Sequence, residues 1–249
     1  MSFQFRLFTI HQDRCAMKVG TDGVLLGAWS DLSHHSPDAA ERTFSILDIG
    51  TGTGLISLML AQRAAETGMD FHIDAVEIDE EAAQQAQENI AASPWASRIN
   101  VFPLSLQAFQ QDDTPQAYDL IVCNPPFYNA TLKPDDAGRA VARHKDALPV
   151  SDIARYAANR LTAHGRLSLI YPTDYDSEVM TAAVLCGLHP VRICDILTKV
   201  GKPCKRRMAE YSLQNAPLSR EQLIIRNAEG KYTDAYRSLT ADFYLHLTD

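Results

Sequence analysis

Asn124-Pro125-Pro126-Phe127 is the stretch whose residue types and order are best suited to chemistry. It follows the apolar run Tyr118-Asp119-Leu120-Ile121-Val122-Cys123, which reads as a strand, so the four residues stand where that strand ends. Each proline biases the residue before it towards an extended conformation and lacks an N–H of its own. Asn124 and Pro125 are therefore expected to be extended, with the Pro125 carbonyl left free to accept a hydrogen bond. An amine conjugated to an aromatic ring is a poor nucleophile because its lone pair is delocalised. Donation of its two N–H groups to the Asn124 amide oxygen and the Pro125 carbonyl would localise that lone pair for attack on an electrophilic carbon. No general base is needed, because the product ammonium is acidic and loses its proton afterwards. Phe127 offers a flat apolar face on which an extruded base can stack.

A second stretch supplies the other half of such a reaction. Leu47-Asp48-Ile49-Gly50-Thr51-Gly52-Thr53-Gly54 ends an apolar run from Phe44 and precedes the helical pattern Leu55 to Leu60, which reads as strand, tight turn, helix. Glycine permits φ > 0 there and lets a ligand approach the backbone closely. A dinucleotide fingerprint is G-x-G-x-x-G, whereas these glycines alternate as G-x-G-x-G with Asp48 two residues ahead of the first. The alternate spacing resembles the S-adenosylmethionine turn of Rossmann-like methyltransferases, and the electrophilic carbon would then be a sulfonium methyl. Asp48, Gly50, Thr51, Gly52 and Gly54 are the candidate cofactor residues of the turn. Glu77 ends the next strand, Phe71 to Val76, roughly 20 residues past the glycines, where a ribose-binding acid is expected. Ile78 beside it joins the set, and Asp79 to Glu81 favour the start of the following helix.

With Asn124-Pro125-Pro126-Phe127 added, the chain resembles the amino-methyltransferases that act on adenine N6, guanine N2 or a glutamine amide. Within that group it resembles the bacterial tRNA1(Val) adenine-37 N6-methyltransferase family. The resemblance is carried by Phe5 to Phe8, His11-Gln12-Asp13-Arg14-Cys15-Ala16-Met17-Lys18-Val19-Gly20-Thr21-Asp22-Gly23, the helix Ala82 to Ala92, Leu223-Ile224-Ile225-Arg226 and Tyr232 to Tyr244. It implies that residues 1–40 form a lid over the cofactor, with Lys18, Gly20 and Thr21 near its methionine end. It also implies a tRNA anticodon stem-loop as partner and adenine 37 as the methylated base. The family's fold usually has an acid after its third strand to meet the adenine amine; Ser105 stands there instead. A release-factor glutamine methyltransferase would need an N-terminal helical domain, for which the roughly 45 residues before the first core strand are too few. A guanine N2-methyltransferase, or a non-catalytic RNA-binding module on the same fold, remains as an alternative reading.

The elements that must hold these residues alternate strand and helix along the chain: strands near Ile99, Arg166 to Tyr171 and Val191 to Leu197, helices Ser151 to Leu161 and Ser177 to Cys186. The expected architecture is one α/β Rossmann-like core over 41–249. It would be a seven-stranded, mostly parallel sheet with helices on both faces and ligands outside the carboxyl ends of the strands. A chain of 249 residues, 46% hydrophobic, suffices for one such core. Residues 3–10 alternate like a strand or an ordered arm, and Thr233 to Leu245 reads as a terminal helix. The five cysteines show neither metal-ligand spacing nor a paired framework, so no metal is expected and the thiols should be reduced and mostly in the core, Cys123 included. No apolar run is long enough to span a membrane or serve as a signal peptide, so a soluble cytoplasmic protein is expected; a monomer is the separate expectation for its assembly. A net charge of −8 disfavours indiscriminate nucleic-acid binding and leaves local patches to do it. Those are Lys199, Lys202, Lys205, Arg206 and Arg207, the loop cations Arg139 and Arg143, and Arg14.

Overall fold

The computed structural model describes residues 2–33, 42–110, 116–127 and 148–245. Arg139 and Arg143 lie outside the described residues. The chain opens with an antiparallel hairpin, β1 (Ser2–Gln4) and β2 (Thr9–His11). A loop leads to α1 (Thr21–Trp29), buried from Gly23 to Trp29. A helix apolar on every side must be covered on every side. A Cβ added at Gly27 would lie 2.9 Å from Met59 Sδ, so glycine there permits the close approach of α1 to the helix after the glycine turn.

The core then runs β3 (Phe44–Ile49), α2 (Leu55–Glu66), β4 (Phe71–Val76), α3 (Glu80–Ala91), β5 (Ile99–Phe102), α4 (Leu106–Phe109) and β6 (Tyr118–Cys123). Next come α5 (Val150–Arg160), β7 (Leu161–Pro172), α6 (Asp176–Leu185), β8 (His189–Lys199), β9 (Arg206–Ser212), β10 (Ser219–Arg226) and α7 (Asp234–Thr240). The sheet has the order β10-β8-β9-β7-β6-β3-β4-β5, and only β9 runs against its neighbours. It holds eight strands where seven were expected. The eighth, β10, begins with exposed Ser219, Arg220, Glu221 and Gln222, so its apolar pattern starts only at Leu223 and its extent is set by pairing with β8.

The terminal helix is shorter than Thr233 to Leu245. Thr233 caps it by accepting from Tyr236 N–H at 3.2 Å, it ends at Thr240, and the Tyr244 backbone bridges to Phe5. Phe3, Phe5, Phe8 and Tyr244 stack together there, so the end of the chain closes on its beginning. One apolar layer gathers Phe5, Ile10, α1 and α2 on one face of the sheet, and α5 and α6 cover the other.

Register determines what this core presents. Ile49 lies opposite both Val76 and Cys123, so Gly50, Glu77 and Asn124 leave three adjacent parallel strands at one level. With strands about 4.8 Å apart, three residues far apart in sequence become neighbours on the carboxyl rim.

Candidate functional site

The glycine turn is the floor of the site. Gly50, Gly52 and Gly54 have φ of 71°, 57° and 82°, a conformation that side chains rarely adopt, which accounts for every second residue being glycine. Gly50 and Thr51 N–H donate to the Val76 carbonyl at 2.8 and 3.1 Å, tying the turn to β4. Gly52 N–H donates to Glu77 Oε2 at 2.8 Å and Asp79 N–H to Oε1 at 3.0 Å, so the carboxylate is fixed by its own neighbours. Each oxygen keeps lone-pair capacity for a hydroxyl, as a ribose diol requires.

Asp48 does not reach the ligand space. It is wholly buried, its Oδ2 accepting from Thr51 Oγ1 and Ser57 Oγ at 2.7 Å and from Ser57 N–H at 3.2 Å. Burial lifts its carboxyl to about 6 against the opposing pull of these hydrogen bonds, and Oδ1 has no partner. Gly54 likewise caps α2 and does not face the cavity.

Above the floor lies a cavity of about 910 Å³, within the range that holds a cofactor and part of a substrate. Gly50, Thr51, Gly52, Glu77, Ile78 and Ser105 line one side, and Asn124, Pro125, Pro126 and Phe127 another. Lys18, Gly20 and Thr21 line the roof. The Lys18 ammonium donates to the Gln12 carbonyl and, at 2.8 Å, to the Cys15 carbonyl, which braces the loop. Ser105 Oγ accepts from Ala108 N–H at 3.1 Å, the cap of α4; it retains its hydroxyl proton as a donor.

Asn124 donates through Nδ2 to Met17 Sδ at 3.9 Å, which leaves Oδ1 as the acceptor. The Pro125 carbonyl is not free: it accepts from Phe127 N–H at 2.9 Å, a tight turn that the two prolines enforce. A carbonyl has two lone pairs, so one acceptor site remains. Phe127 packs at 4.6 Å from the Tyr175 ring and 6.3 Å from Tyr171, leaving its outer part for stacking. Cys123 is buried at 1% exposure, and burial holds its thiol well above the ordinary value, so it offers no thiolate.

Sequence reasoning missed what holds the roof. Asn89 of α3, 1% exposed, accepts from His11 N–H at 2.9 Å and donates to the His11 and Thr53 carbonyls at 2.9 Å each. Gln85 accepts from Arg14 N–H at 3.0 Å and donates to Asp13 at 3.1 Å. Two amides thus clamp the front loop to the helix behind the glycine turn. The signal was present: Gln85 and Asn89 share the helical face of Ala82, Ala86 and Ile90, where a polar group must find a partner.

Residues 32–185 match the family model of the methyltransferase small domain. A tRNA1(Val) (adenine(37)-N6)-methyltransferase from Bacteroides thetaiotaomicron is 43% identical over 98% of both chains. One of the same name from Trichodesmium erythraeum is 45% identical over 98% of this chain and 97% of its own. The chain belongs to the tRNA1(Val) (adenine(37)-N6)-methyltransferase family. The fold is shared with a predicted O-methyltransferase from Agrobacterium tumefaciens, at a TM-score of 0.63 and 21% identity over 89% of this chain and 96% of that one.

In this member of the tRNA1(Val) (adenine(37)-N6)-methyltransferase family the basic residues divide into two kinds. Arg207 is clamped between Asp176 at 2.6 Å and Asp195 at 2.7 Å and is not available to a phosphate. Its partner Asp176 also accepts from Tyr171 at 3.1 Å, so this arginine braces the wall behind Phe127. Arg14 pairs with Glu88 on α3, outside the cavity. Arg206 pairs with Asp22 at 2.8 Å on the cavity mouth. Lys199, Lys202 and Lys205 have no carboxylate within 4 Å among the described residues. No cluster of metal-ligating side chains occurs among the described residues, and no helix among them is long and apolar enough to cross a membrane.

Proposed function

We propose that the protein transfers a methyl group from S-adenosylmethionine to the exocyclic N6 amine of adenine 37 in tRNA1(Val). One observation carries the reading: strand register sets Glu77, the glycine turn and Asn124-Pro125-Pro126-Phe127 around a single cavity. Full-length similarity to enzymes of that name supports the choice of base. The residues present fit the cofactor, since Glu77 retains two acceptors and the positive-φ glycines leave the floor open at Gly50.

When bound, S-adenosylmethionine supplies a methyl group on a positively charged sulfur. Glu77 would hold its ribose, the Gly50 to Gly52 turn its amino-acid end, and Ile78 and Ser105 would border its adenine. Asn124 Oδ1 and the second lone pair of the Pro125 carbonyl accept the two N–H groups of the target amine. That holds its nitrogen lone pair out of conjugation and in line with the methyl. Phe127 stacks the flipped base, and the Cys15 to Gly23 loop excludes water from above. The surplus proton leaves to solvent, so the chain needs no base; most of its contribution is orientation and a fixed acceptor field.

Of the N-terminal region, the described residues 2–33 act as the lid of one methyltransferase unit through Cys15 to Gly23; residues 34–40 lie outside the described residues. The expected working state is a monomer in the cytoplasm; light scattering after size exclusion tests the first point. The test of function is incubation with labelled S-adenosylmethionine and total tRNA from cells lacking the activity, followed by digestion to nucleosides. Label in N6-methyladenosine is expected. Label in N2-methylguanosine would overturn the base assignment, and label in a release-factor glutamine would overturn the RNA substrate.

A further inference from the structure

The carboxyl rim of the sheet carries opposite charge at its two ends. Beyond β4, Glu77 is followed by exposed Asp79, Glu80 and Glu81 at the start of α3. At the other end, β8 finishes at Lys199, β9 begins at Arg206, and β10 finishes at Arg226 opposite Lys199. Lys202 and Lys205 stand exposed on the hairpin between β8 and β9. The asymmetry is a property of the fold, since three strand ends bring together cations that are separate in sequence.

A further cation joins them from a segment that the base-binding motifs do not explain. After β10 the chain makes a tight turn: Asn227 N–H donates to the Lys231 carbonyl at 2.8 Å, Gly230 N–H to the Asn227 carbonyl at 3.1 Å, and Lys231 N–H to Asn227 Oδ1 at 2.9 Å. The Arg226 guanidinium lies 4.0 Å from the Tyr232 ring centre and bonds the Gly230 carbonyl, bracing the turn from inside. Lys231 is left exposed with no carboxylate within 4 Å among the described residues. Glu229 and Asp234 flank this turn, Asp174 follows Thr173, whose N–H donates to the Lys205 carbonyl, and Asp22 is taken by Arg206; Lys199, Lys202, Lys205 and Lys231 outnumber the three remaining acids, so the β9-β8-β10 end keeps a small positive surplus.

We propose that this end of the rim, extended to the turn at Lys231, is the surface that holds the phosphate backbone of the RNA flanking the flipped base. The inference rests on the RNA reading above and adds where the strand runs. It leaves the cavity past Pro172 and Arg206 and crosses β9, β8 and β10, about 14 Å at the usual strand spacing. Charge complementarity supports this direction over the other, where the exposed carboxylates of Asp79, Glu80 and Glu81 would face the phosphates. It also explains how a chain of net charge −8 engages a polyanion: the positive charge is local, so binding needs the correct docking pose.

The test is binding of total tRNA by the full chain across a salt series, with S-adenosylmethionine affinity measured alongside to show that the fold is intact. Lys202→Glu and Lys231→Glu are each expected to weaken tRNA binding about fivefold to tenfold and to lower the salt slope by about 1, leaving cofactor affinity unchanged. Arg155→Glu on α5, a charge reversal of the same size away from this rim, should change neither. Unaltered binding and slope in both lysine variants would overturn the surface, as would an equal loss in Arg155→Glu, which would mean that net charge alone matters. A wild-type chain that binds cofactor but no tRNA would instead remove the RNA reading and this surface with it.

Discussion

The floor and the roof of the cavity are held by different physics. The floor is built from local devices: three glycines in the left-handed region, an acid that accepts from the turn beside it, and two prolines that set the exit of β6. The roof, Cys15 to Gly23, has lighter local bracing, Lys18 on the Cys15 carbonyl and Val19 N–H on Gln12 Oε1, and the Gly20 N-cap of α1 gives no side-chain cap. The strand and loop that lead into it are tied to the core by Asn89 and Gln85, which lie 78 and 71 residues from the His11 and Arg14 groups that they bind. A functional wall can thus be specified by short-range geometry, or by buried amides that have no alternative partner. Loss of an element of the first kind should strike binding or chemistry directly; loss of the second should act through the position of the loop.

The largest effect should come from the floor's reacting edge. Asn124→Ala is expected to lower kcat by about 10²–10³-fold, the usual size for loss of one fixed transition-state partner, with cofactor affinity and melting temperature nearly unchanged. Rapid-quench methyl transfer checks it, and a fall in cofactor affinity of similar size would show that Asn124 serves binding instead. Glu77→Ala follows: a charge-assisted pair of ribose contacts is lost, so S-adenosylmethionine affinity should drop about 10- to 100-fold by calorimetry. Gly52 N–H also loses its acceptor, so part of that drop reflects the turn.

Asn89→Ala sharpens the contrast. It should cost about 2–3 kcal/mol of stability, from buried carbonyls left without donors, and weaken the cofactor about tenfold while kcat at saturation stays within about twofold. An unchanged cofactor affinity with lowered stability would mean that the roof plays no part in binding. The smallest effect concerns Asp48. Its folded-state value of about 6 lies above the ordinary carboxyl value of 3.8. Its stabilising contribution is therefore complete below the unfolded value and is lost as pH rises through about 6. Asp48→Asn removes the titration. Wild type should gain stability relative to that variant as pH falls from about 7 towards 4, by a few kcal/mol at most, read from urea midpoints at each pH.

Much of the floor is legible in the order of the residues. Gly50, Gly52, Glu77 and Asn124-Pro125-Pro126-Phe127 announce themselves because backbone conformation at a turn is a nearest-neighbour property. The parallel core is equally plain, as strand and helix periodicities alternate. Less legible is what depends on distant partners. β10 looks half polar because it lies at a sheet edge, and Thr233 to Leu245 looks helical until Tyr244 pairs with Phe5. Arg207 and Lys202 are both cations of one cluster; only packing shows that two aspartates occupy the first and, among the described residues, no carboxylate the second.

The sequence alone determined the turn, the Asn124-Pro125-Pro126-Phe127 strand exit, the family and the reaction class, since these follow from residue type and short spacing. Tertiary structure decided that the Pro125 carbonyl already has one donor, that Asp48 supports the turn from below, and that Asn89 holds the roof. It also decided which end of the rim is positive. Those outcomes turn on which buried polar groups find partners and which strand ends lie side by side, and both are fixed only when the sheet is assembled.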